Sequence, residues 1–160
     1  MNRSKSKGTA TETAVTRYAQ GNGFPHAERR ALHGSLDRGD VVLCPGVVLE
    51  VKGGVTAETA SDLLVERWLV ETELERVNAG AAVALLVTKR AAVGSLRAGQ
   101  WWAHLRLSTL AQITSSVPYP VGVPTGLRDR LLDTPVRMTF DDALRLLRAG
   151  GYGSPLKGAS

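Results

Sequence analysis

Asp40, Glu50 and Lys52 are charged residues placed where the chain is otherwise writing buried sheet, in GDVVLCPGVVLEVKGG. Strand side chains alternate between faces, so along VVLEVK the residues Val47, Leu49 and Val51 point one way and Val48, Glu50 and Lys52 the other. Pro45-Gly46 reads as a tight turn that brings Asp40, at the start of the preceding strand, back toward residues 50–52. Two carboxylates held together repel unless positive charge lies between them. Magnesium does this well, because it takes oxygen ligands and accepts phosphate oxygens as further ones. An ammonium beside such an ion can orient or help deprotonate a water, or offset charge on a phosphate. A plainer reading also stands for Glu50-x-Lys52: a solvated ion pair at a strand edge, worth ~0–1 kcal/mol.

The elements that would hold these groups are legible in outline. Thr9-Ala10-Thr11-Glu12 matches a capping box and predicts a helix from there to Gly21-Asn22-Gly23. A polar strand is expected at 26–32, a loop at 33–39, and strands at 40–44 and 46–52. Residues 57–78 read as one long amphipathic helix, with Leu63, Val70, Leu74 and Val77 as its apolar stripe, widened by Leu64 and Trp68. AVALLVT, 82–88, is apolar throughout and predicts a strand buried on both faces. A strand at 101–107 and a helix at 108–115 follow. VPYPVGVPTG reads as linker, and Thr139-Phe140-Asp141-Asp142 is a second capping box opening a short basic helix. The order predicts a mixed α/β sheet with helices on its faces.

The chain has 160 residues and a formal charge of +5, which suits one domain and a polyanionic partner. Basic residues concentrate in 1–39 and acids in 58–75, so one surface should attract phosphate and another repel it. Cys44 is the one cysteine, which excludes an intrachain disulfide and a cysteine zinc site. No apolar run suits a membrane span, and the polar, basic N-terminus lacks a signal-peptide core. A soluble intracellular protein is the expectation.

Taken as an ordered set, Lys7-Gly8 with Glu12, Gly23-Phe24-Pro25, Arg29-Arg30, Gly34-Ser35, Gly39-Asp40, Glu50-Val51-Lys52, Trp68-Leu69 with Glu73, and AVALLVTKR resemble the PD-(D/E)XK nuclease superfamily. The likeness is greatest to the Holliday-junction resolvases of archaea and of actinobacterial phages, and it covers roughly residues 5–113. It implies a restriction-endonuclease-like fold: a mixed central sheet flanked by helices, with 1–7 a flexible basic arm, 8–116 the nuclease domain and 117–160 a Pro/Gly-rich tail.

The resemblance makes Asp40 and Glu50 metal ligands, with the carbonyl of Val51 a third and Glu12 completing the acidic cluster. Lys52 becomes the catalytic lysine. Magnesium is the implied ion, with manganese as a substitute. Arg30 and Ser35 would lie beside the scissile strand, Lys89 and Arg90 would meet phosphates, and Lys5, Lys7 and Arg29 would help steer DNA. Gly39 departs from the proline of the superfamily's name. Three residues carry a second reading: Glu12 as a helix cap only, Ser35 as a turn residue, and Arg30 as a solvated side chain alternating outward on a polar strand. His33 and His104 read as structural, Trp101 and Trp102 as packing more than stacking platforms, and Trp68 as packing or a dimer contact.

The implied activity is magnesium-dependent hydrolysis of phosphodiester bonds in branched DNA, most naturally four-way junctions. The implied setting is a bacterial or phage-infected cytoplasm. Two symmetric cuts call for a homodimer. A repair, nicking or restriction-type nuclease of the same superfamily, and a basic DNA-binding protein without activity, are the alternatives.

Overall fold

A computed structural model describes residues 3–30, 37–114 and 125–155, with 3–7 as backbone only. It is a mixed α/β structure in which six strands form one sheet in the order β1-β2-β3-β4-β5-β6. The strands are β1 (Glu28–Arg29), β2 (Val41–Cys44), β3 (Val47–Lys52), β4 (Val83–Thr88), β5 (Trp102–Arg106) and β6 (Pro135–Thr139). β3 and β4 run parallel, and the other neighbours are antiparallel. A parallel pair needs a crossover, here supplied by α2 (Gly54–Glu58) and α3 (Asp62–Ala79). The remaining helices are α1 (Arg3–Gly21), α4 (Leu107–Thr114), α5 (Thr125–Leu132) and α6 (Phe140–Ala149), with a 3-10 helix at Ser95–Gln100.

One face of the sheet carries the apolar core. Val41, Leu43, Val47, Leu49, Leu85, Val87 and Leu105 pack there with Val15 and Ala19 of α1 and with Phe140, Leu144 and Leu147 of α6. Each fully buried Leu, Val or Phe contributes about 1.5–3 kcal/mol. Trp101 is wholly buried and its indole N–H donates to the carbonyl of Val93 at 3.0 Å, a packing role as the sequence suggests.

The opposite face differs. Among the described residues its apolar cluster is small, Val48, Ala81 and Ala84 with Ala79 packed against them, and the buried polar residues Glu50, Thr72, Glu75, Thr88 and His104 lie on this face. α3 covers this face through Leu69, Thr72 and Glu75. The stripe expected to meet the sheet points outward instead, with Leu63, Val70, Leu74 and Val77 between 60% and 74% exposed. Helical periodicity says which residues share a face, but not what that face meets.

Local signals explain the other departures. The expected helix over 57–78 breaks where Thr59 caps α2, and α3 restarts at Ser61, whose hydroxyl accepts from the amide of Leu64 at 3.3 Å. α1 begins at Arg3, so Thr9 lies inside it and not at its start. The carbonyl of Thr9 accepts from the Thr13 hydroxyl at 2.7 Å. The first capping box is therefore not used, and backbone expected as a free arm is helical. Of the polar strand expected at 26–32, the described residues 26–30 show strand at β1 only. The segment 117–160, expected as a tail with a short C-terminal helix, has that helix as α6, which joins the core, and also supplies β6, paired along the whole of β5. The second capping signal is used: Thr139 caps α6, its hydroxyl accepting from the amide of Asp142 at 3.2 Å. No described helix is long and apolar enough to cross a membrane.

Candidate metal centre

Asp40 and Glu50 meet on the α3 side of the sheet. β2 and β3 pair antiparallel, with Val41 opposite Leu49, so Asp40 lies beside the end of β3. Its amide donates to the carbonyl of Leu49 at 2.9 Å, and its carboxylate Oδ2 accepts from the amide of Val51 at 2.9 Å. Val51 thus enters the site through its N–H, which fixes the Asp40 carboxylate, while its side chain joins the core. Gly39 feeds the chain into this position at φ +84°, where a Cβ would come within 3.1 Å of the Leu49 carbonyl oxygen. Proline, locked near φ of about −65°, cannot take that conformation. The backbone therefore excludes proline at position 39.

Lys52 Nζ lies 2.7 Å from Glu50 Oε1 and 3.6 Å from Glu71, and 5.9 Å from the centroid of the Trp68 ring. Burial works against the Lys52 charge, but Glu50, Glu71 and Glu75 outweigh it and raise the ammonium above its usual range. Burial pushes Asp40 up to about 7, and the charge of Glu50 adds to this, against the Val51 amide. Burial likewise raises Glu50 to about 7, with Lys52 opposing and Glu75 reinforcing. Both carboxyls therefore hold protons far more readily than free acids do.

Glu12 lies near enough for its charge to raise Asp40 further. It does not cap a helix. Its Oε2 accepts from the Arg29 guanidinium at 2.6 Å and 2.9 Å, so it stands at the rim as half of an ion pair. Gly53 sets its position: a Cβ there would fall 2.2 Å from the Thr11 hydroxyl, so α1 crosses the end of β3 only because the residue is glycine. Arg30 is tied to the site by backbone, its amide donating to the Asp40 carbonyl at 2.8 Å, while its guanidinium donates to the Arg38 carbonyl at 2.6 Å.

Other expected contacts have partners of their own, although the Lys89 amide donates to the Lys52 carbonyl at 2.9 Å. Lys89 is ion-paired with Glu58, and the Arg90 guanidinium stacks 4.2 Å from the Trp102 ring centroid, with Arg137 at 4.7 Å from the same ring. Ser35, His33 and the side chains of Lys5 and Lys7 lie outside the described residues. His104 is buried and bonded to the Thr88 hydroxyl at 3.0 Å. Burial, then the charge of Arg137, lowers it to about 4, so it is neutral and structural.

The sequence reading missed Glu75 and Asp37. Glu75 is 5% exposed, projects from α3 onto Glu50, and is raised chiefly by burial. Asp37, exposed, is held over the site because Asn78 donates to its carbonyl at 2.9 Å. One carboxylate oxygen from each of Asp37, Glu50 and Glu75 lies within 4.8 Å of the others. A pointer was present: Leu69, Thr72 and Glu75 share a helix face, the one opposite the apolar stripe. Scans against protein-family models and searches of curated proteins and solved structures find no match to this chain.

Proposed function

We propose that this protein is a metal-dependent endonuclease that hydrolyses phosphodiester bonds in branched DNA, with four-way junctions as the preferred substrate. One observation carries the reading: the Asp40 and Glu50 carboxyls share one half-buried site beside the Lys52 ammonium, at the end of a central strand. The donor set fits a hard divalent cation, being all carboxylate oxygen, and Glu50 Oε2 is buried without a hydrogen-bond partner among the described residues. Asp40 and Glu50 would hold the ion. Bound magnesium would supply an activated water and offset phosphate charge.

The protein's own groups divide the remaining work. Lys52 stays protonated, which suits stabilising charge on the phosphate better than acting as a base. The Val51 amide orients Asp40. Arg30 and the Glu12–Arg29 pair form a rim where a backbone phosphate can exchange with Glu12 for the guanidinium. The exposed stripe of α3 suits pairing with a second copy, as two symmetric incisions require. The test is cleavage of a synthetic four-way junction with magnesium, against linear duplex of equal length. Cutting of the junction, lost in Asp40→Asn and Lys52→Ala with gel-shift binding retained, is the expected result. Equal cutting of both substrates would reassign the protein to a nicking or restriction-type nuclease. Binding without cutting would make it a DNA-binding protein on the same fold.

A further inference from the structure

The α3 side of the site holds more negative charge than Lys52 can balance. Glu50 and Glu75 are 6% and 5% exposed, and each carries an Oε2 atom that is buried without a hydrogen-bond partner among the described residues. Asp37 closes the outer side, anchored through its backbone by Asn78 at the end of α3 and by its own carboxylate, which accepts from the amide of Gly39 at 3.2 Å. Lys52 contacts Glu50 at 2.7 Å but divides its charge with Glu71. An unpaired buried carboxylate oxygen is expensive, and a second carboxyl close by makes it more so.

Geometry says what would relieve this. Oxygens bound to one magnesium at about 2.0–2.1 Å stand roughly 2.9–4.2 Å apart, and a larger or softer shell spreads them further. One oxygen from each of Asp37, Glu50 and Glu75 already falls within 4.8 Å of the others, so shifts of side-chain torsions would bring all three onto one ion, with water filling its other positions. Two of the three oxygens come from rigid elements, β3 and α3, and the third from a loop open to solvent, which gives an ion a route in.

We infer that Asp37, Glu50 and Glu75 form a divalent-cation site of their own, adjoining the Asp40 site and sharing Glu50 with it. The inference rests on the nuclease reading only in naming Asp40 as the neighbouring ligand. Paired ions on a shared carboxylate are an arrangement that phosphodiester cleavage uses.

The experiment is manganese binding to the full chain without DNA, by titration calorimetry and by the electron-spin signal of free manganese, with thermal unfolding alongside. Wild type should bind two ions per chain and unfold at higher temperature with manganese. Glu75→Gln should bind one, at least tenfold more weakly overall, while Asp37→Asn weakens the same ion and Asp40→Asn leaves it in place. Glu75→Gln keeps the side-chain shape, and its unfolding temperature without metal reports whether it folds. Unchanged manganese binding in folded Glu75→Gln overturns the inference. So does a manganese-insensitive unfolding temperature in wild type, which would mean that the two glutamates share a proton instead. Junction cleavage separates the two readings: cutting that persists alongside unchanged Glu75→Gln binding removes the second ion and keeps the nuclease. Manganese lost with Glu75 in a protein that cuts nothing keeps the site and removes the nuclease.

Discussion

The two faces of the sheet use the same strands for opposite ends. Toward α1 and α6, β3 offers Val47, Leu49 and Val51 to a dry core. Toward α3, the same strand offers Val48, Glu50 and Lys52, and the covering helix answers with Thr72 and Glu75 beside Leu69. The first face holds the fold together. The second is a place where stability has been given up to keep carboxylates close and poorly hydrated. The contrast teaches that a strand's alternation can separate structure from chemistry residue by residue.

The largest test of that division compares substitutions across the faces. Leu85→Ala, in the dry core, should lower unfolding free energy by about 2–5 kcal/mol in urea titrations. Glu75→Gln in cation-free buffer should lower it not at all, because it removes a buried like charge beside Glu50. If Glu75→Gln is as damaging as Leu85→Ala, the α3 face is structural and the division fails.

A smaller effect concerns pH. Asp40 has a folded pKa of about 7 against an ordinary 3.8, so the folded state binds its proton more tightly than the unfolded chain. The stabilisation is fully present below about pH 4 and is lost as pH rises through about 7. Asp40→Asn should therefore be more stable than wild type at pH 8, by about 1–3 kcal/mol, with the advantage vanishing near pH 4. A pH-independent difference would place Asp40 in well-hydrated surroundings and blur the contrast between faces.

The smallest effect on stability sharpens the picture from outside. Leu74→Gln on the exposed stripe should change monomer stability by under about 0.5 kcal/mol. In sedimentation it should nevertheless shift dimer to monomer. A wild type that sediments as a monomer at all concentrations would leave the stripe unassigned.

The mixed sheet, the hairpin and the convergence of Asp40, Glu50 and Lys52 could be read from the chain, because strand alternation and a Pro-Gly turn are local rules. The second capping signal held for the same reason. What failed was non-local. Nothing in the period of Leu63, Val70, Leu74 and Val77 says that they face solvent, and so Glu75 on the opposite face passed for surface charge. The break at Ser61 was written in a capping residue but hidden by the continuing apolar pattern. β6 escaped notice because PVRMT is short and half-exposed, and becomes a strand only by pairing with β5. Gly39 could be seen to differ from proline, but its positive φ could not be read from the chain.

Because β6 and α6 complete the sheet and its dry layer, synthesis itself has an order built into it. Until α6 clears the ribosome, the apolar side of β3–β5 has no cover there, since Phe140, Leu144 and Leu147 have yet to arrive. The nascent chain must hold that surface open until Phe140–Ala149 has emerged, and in that interval a chaperone has something to bind.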